Sequence, residues 1–106
     1  MNSKKSEEMI TEIAKIYFIS IRQIQEIEEH TISNGSRNID SPFYKYFNDV
    51  EEAFSKLSVE YQRIINNEFF FNAYRNWWTS SYTLSEFKKR KKLAVREFLE
   101  VFYEIH

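Results

Sequence analysis

One glycine and one proline, Gly35 and Pro42, stand in a chain of 106 residues. Ordinary usage of roughly 7% and 5% would supply about seven and five. Sandwiches and barrels need a tight turn at nearly every strand end, and the residues that make such turns are missing here. The chain is therefore expected to be all-α. Its length suits one domain with a real core and is too short for two. The absence of cysteine removes disulfides and thiolate metal sites. His30 and His106 lie far apart without ligand-like spacing, so no metal or other cofactor is expected.

Apolar periodicity divides the chain into five expected helices, read as a single domain over residues 1–106. Residues 1–40 form a long N-terminal helix and a loop. The helix runs from about Ser6, a plausible cap, to about Thr31, with Ile10, Ile13, Tyr17, Ile24 and Ile27 in helical spacing. Ile16, Ile19 and Ile21 widen this face beyond one stripe. So broad a face is either enclosed by the other helices, the favoured arrangement, or paired with a second chain in a homodimer. Ser33–Asn38 holds the sole glycine and reads as the only clear loop.

Residues 41–106 are expected to contain a helix-turn-helix. Ser41 caps a second helix with Pro42 at its first position, where a missing N–H does no harm. Phe43, Phe47, Val50, Phe54 and Leu57 then make a buried stripe. A third helix starts at Ser58 with Tyr61, Ile64 and Ile65 inward. Its end is blurred by Phe69-Phe70-Phe71, which either continue the helix or turn the chain into the core. Asn72 to Trp78 reads as a short fourth helix and Thr79 to Tyr82 as a turn. The fifth helix runs from Leu84 almost to the C-terminus, with Phe87, Ala94, Phe98, Val101 or Phe102, and Ile105 inward.

Charge is distributed unevenly. Residues 1–60 carry 7 Lys and Arg against 11 Asp and Glu, whereas residues 61–106 carry 8 against 5. Six of the latter eight cations lie between Lys88 and Arg96. They follow a helix start in which Thr83 caps and Glu86 reaches back, the capping-box pattern. A capped helix that leads into dense positive charge suits a phosphate backbone, with its first turn free to touch base edges. The residues expected to face DNA are Tyr82, Thr83, Leu84, Ser85, Glu86, Lys88, Lys89, Lys92 and Arg96. Lys and Arg would neutralise phosphates, and Ser85 or Lys89 could reach bases. Glu86 could accept from a cytosine amine, but capping competes for its carboxylate. Phe87 and Arg90 or Lys91 fall on or beside the buried side.

The stretch from Leu57 to Leu99 resembles region 4 of sigma-70 factors and the related phage late-gene regulators of the ArpU type, and is similar to a group of small mollicute proteins. The likeness rests on Leu57-Ser58 followed by Arg63-Ile64-Ile65, on Thr83 with Phe87, and on Leu93-Ala94 with Phe98-Leu99. It implies a DNA-binding transcriptional regulator in which Leu84, Ser85, Glu86, Lys88 and Lys89 occupy promoter-reading positions, with RNA polymerase as a further partner. Two positions depart from the pattern. Trp77 stands near the small alanine that lets the two helices approach, and Ser81 near the turn glycine.

Other features favour plainer readings. Trp77-Trp78 and Phe69-Phe70-Phe71 read as core before base-stacking platform or ligand pocket. Glu28-Glu29 and Glu51-Glu52 lie on helix surfaces without a histidine partner and read as solvated faces. No nucleophile–base pair and no phosphate-cradling glycine loop is visible, so no catalytic residues are assigned and an enzyme is not expected. Met1 to Glu8 is polar and charged, so no signal peptide is expected. No apolar run approaches the ~20 residues of a membrane span. A cytoplasmic protein bound to duplex DNA is the leading expectation. The alternatives are a protein-interaction module that binds polymerase or another acidic partner through the same basic helix, and a nonspecific nucleic-acid binder.

Overall fold

The computed structural model describes residues 3–34 and 41–106. Four α-helices follow one another: α1 (Ser3–Asn34), α2 (Pro42–Ser55), α3 (Val59–Ile65) and α4 (Leu84–Ile105), with a π-helical turn (Asn66–Phe70) continuing α3. Among the described residues there is no strand, and no helix is long and apolar enough to cross a membrane. The shortage of turn formers thus has the expected consequence. The expected loop at positions 35–38 lies outside the described residues, and Ser33 and Asn34 belong to α1.

α1 packs along α2 and α4, and α3 packs against α4. The molecule measures 54 × 28 × 22 Å, its long axis matching a 32-residue helix at about 1.5 Å per residue. The core gathers Ile10, Ile13 and Ala14 from α1, Val50 and Ala53 from α2, Ile64 and Ile65 from α3, and Phe87, Ala94, Val95, Phe98, Leu99 and Phe102 from α4. Enclosure of α1 is incomplete, because Ile16 and Ile19 remain 39% and 46% exposed.

Local chemistry sets the helix ends. The Ser41 hydroxyl accepts from the Phe43 amide at 3.2 Å, and Pro42 opens α2. The Gln62 amide donates to the Phe54 and Leu57 carbonyls at 3.1 and 3.3 Å, satisfying the end of α2 and tying α3 to it. At the end of α3, the Phe71 amide donates to the Asn66 carbonyl at 2.8 Å. This wider turn carries Phe70, five residues after Ile65, into the core, where its ring meets Tyr17 and Phe98 edge-on. Asn72, with φ 45°, then ends the helical path in the left-handed region that asparagine tolerates.

The fourth of the five expected helices does not form. Residues 75–81 are a chain of turns joined by bonds such as Trp77 N–H to the Tyr74 carbonyl and Thr79 N–H to the Asn76 carbonyl. The aromatic geometry supplies the reason. Trp78 stacks flat on Phe87 at 4.6 Å while Trp77 meets the same ring edge-on at 5.7 Å. An α-helix would swing neighbouring side chains about 100° apart, so adjacent tryptophans could not both grip one ring. Both indoles therefore belong to the packing, and Trp77 is buried. Residues 71–83 join the π-helical turn to α4, far more chain than the 3–4-residue turn of a compact helix-turn-helix.

Candidate nucleic-acid interface

The start of α4 is built as its sequence dictates. The Thr83 hydroxyl accepts from the Glu86 amide, and the Glu86 carboxylate accepts from the Thr83 amide, each at 3.2 Å. Both hydrogen bonds hold Glu86 below the usual carboxylate range. Glu86 is thus committed to capping and is not free to accept from a base. Phe87, one residue on, is buried between the tryptophans and anchors the first turn to the globule.

The expected DNA-facing residues divide into two groups. Thr83, Leu84, Ser85, Glu86, Lys88, Lys89, Lys92 and Arg96 are all exposed, and Leu84 keeps 55% of its surface in solvent. Among the described residues, no element covers this end of the helix. Tyr82 behaves differently: it is half-buried, and its hydroxyl donates to Glu60 at 2.7 Å. Burial and that carboxylate raise its pKa. Tyr82 anchors the connection to α3, and its hydroxyl proton is already engaged.

The basic cluster divides as well. Lys91 turns inward, its ammonium 2.9 Å from Glu7 and 3.1 Å from Glu68, with the Phe69 ring 5.5 Å away. Burial pulls its pKa down, but the two carboxylates more than offset this and keep it charged. Glu68 also accepts from the Trp77 indole at 3.1 Å. This cluster links α1, the π-helical turn and α4, so Lys91 is structural. Arg90 lies 3.9 Å from Glu60, and Arg96 lies 3.3 Å from Glu100 within α4. Exposed pairs of that kind are worth only about 0–1 kcal/mol and exchange readily. Lys88, Lys89 and Lys92 have no ion-pair partner among the described residues.

Sequence reasoning missed two features. The Glu7–Lys91–Glu68 cluster depends on residues far apart in the chain, and only the placement of Arg90 or Lys91 beside the buried face hinted at it. A buried acid, Asp49, accepts from Lys45 at 2.7 Å and lies 2.8 Å from His106 Nδ1. Burial pushes its carboxyl up, but the hydrogen bonds from Lys45 and His106 outweigh that and leave it lowered. His106 stacks on Phe102 and thereby closes the end of α4 onto α2. Glu51, expected as a solvated surface residue, accepts from the Tyr17 hydroxyl, and burial together with that carboxylate drives the tyrosine pKa far up. The surface pair Lys56–Glu52 spans 3.6 Å. No protein-family model matches this chain, and neither a curated protein nor a solved structure is detectably similar to it.

Proposed function

We propose that the chain is a non-enzymatic regulator that binds duplex DNA with the N-terminal half of α4. The observation that carries this reading is a capped helix start that, among the described residues, is uncovered, with Ser85 exposed and Lys88, Lys89 and Lys92 unpaired beside it. Bare lysines on one rigid helix can release counterions from phosphates without first breaking an internal ion pair. The helix N-terminus adds its partial positive charge to theirs. Ser85, one turn before Lys89 on the same face, is the residue placed to read a base edge. Arg96 joins the phosphate contacts by exchanging Glu100 for the backbone. In this reading α3, which packs against α4, serves as the bracing element, although the connection is longer than in a compact helix-turn-helix. A role in transcription follows from the resemblance to sigma region 4.

Gel-shift titration of the full chain against a random duplex pool, repeated over a salt series, tests this reading. With Lys88, Lys89, Lys92 and Arg96 on phosphates the expected log–log salt slope is roughly −3.6. Lack of retardation at low salt refutes the proposal. Selected fragments without a shared sequence would reduce it to nonspecific binding.

A further inference from the structure

Along α4, beside the face just described, the helix and the first turns of α1 enclose a groove of about 1010 Å³. Two rows of α4 side chains line it. Lys88, Lys92 and Arg96 recur every fourth residue, and Val95, Leu99 and Tyr103 recur every fourth residue in the adjacent row. Residues four apart form one inclined ridge of a helix. Met9 closes the apolar floor from α1. Val95 and Leu99 are almost wholly buried, while Tyr103 keeps 52% of its surface exposed above them. The groove is thus an apolar strip edged by a mainly cationic ridge; the two carboxylates on its wall, Glu7 and Glu100, are paired with Lys91 and Arg96.

Duplex DNA satisfies the cations but offers nothing to fill an apolar strip between two helices. An amphipathic helix with an acidic ridge beside an apolar one matches both rows at once, since its side chains repeat with the same four-residue spacing. We propose that this groove docks such a helix from a partner protein, its carboxylates on Lys88, Lys92 and Arg96 and its apolar row against Met9, Leu99 and Tyr103. Lys88 and Lys92 also belong to the proposed DNA face. Partner and DNA therefore exclude each other. That consequence rests on the DNA reading, whereas the docking itself does not.

The test uses the full chain and a labelled synthetic helix of about five turns, with Glu at every fourth position and Leu at each neighbouring position. Fluorescence anisotropy is expected to show binding that Tyr103→Asp and Lys92→Glu each weaken about tenfold or more. A peptide in which only the Glu facing position 92 is replaced by Lys is expected to recover binding to Lys92→Glu. Circular dichroism of both variants is expected to match the parent, since each site is exposed. No binding, equal binding of a scrambled peptide, or indifference to Tyr103→Asp would overturn the proposal. Unlabelled duplex DNA is expected to displace the peptide. If DNA binds and the peptide does not, docking fails alone; if the peptide binds and DNA does not, the DNA reading fails alone.

Discussion

Residues 84–92 and residues 93–105 are the two halves of one uninterrupted helix, yet different physics shapes each. In the first half only Phe87 is buried, and the helix is held by its cap, by that one clamped ring and, at its far end, by the ion pairs of Lys91. In the second half Ala94, Val95, Phe98, Leu99 and Phe102 are buried, and Phe98 stacks on Phe102 at 6.0 Å. Capping and charge give the first half its shape while leaving its surface available. Burial gives the second half its stability and covers one side of it, leaving Arg96 and Tyr103 exposed on the other. A rigid rod fixed at one end and bare at the other is a way to present a binding surface without a loop.

That contrast can be broken from either side. The largest expected effect is in the buried half: Phe98→Ala removes a side chain with no exposed surface and is expected to destabilise the fold by about 3–5 kcal/mol in urea denaturation. A loss below 1 kcal/mol would mean that the second half does not hold the molecule together. In the bare half, replacing Lys88 and Lys89 together by Ala should leave the denaturation midpoint unchanged and lower the DNA salt slope by roughly 2. A comparable loss of stability would show that these lysines are structural after all.

Lys91 sits on the boundary between the halves. Lys91→Ala strands Glu68 beside Trp77 and should destabilise the fold by about 1–2 kcal/mol. Lys92→Ala, one residue on, should have almost no effect on stability, so the pair of melts locates the boundary to a single residue. Thr83→Ala is expected to cost about 1 kcal/mol through loss of the cap, with a matching rise in amide exchange confined to the first turn of α4.

The smallest effect is acidic. Asp49 has a lowered pKa in the folded state, so its contribution to stability is present above the ordinary carboxylate value and is lost as pH falls below about 4. Asp49→Asn should flatten that part of the stability–pH curve. An unchanged acid limb would mean that Lys45 and His106 do not hold the carboxylate as the geometry indicates.

Much of the fold is legible in the sequence. One glycine and one proline excluded a strand-rich chain. Ser41 with Pro42, Ser58, and Thr83 with Glu86 marked three helix starts that the structure places at those residues. These signals are local, because a cap depends on residues within one turn of it. The stripe of α2 was legible only in part: Val50 and Leu57 are buried, but Ala53 and Asp49 take inward places that the large aromatics were expected to fill. The segment 72–78 misled because its helix-compatible composition gives no sign of where two adjacent tryptophans must point.

The sequence by itself determined the class, the start of α4 and the cations it carries, since composition, capping and charge act over a few residues. Tertiary structure alone decided which cations remain available. Glu7 and Glu68 reach Lys91 from other parts of the chain, and the demands of the Phe87 ring replaced a helix with turns. Long-range pairing of charge and of aromatic faces depends on distances that exist only once the helices have packed.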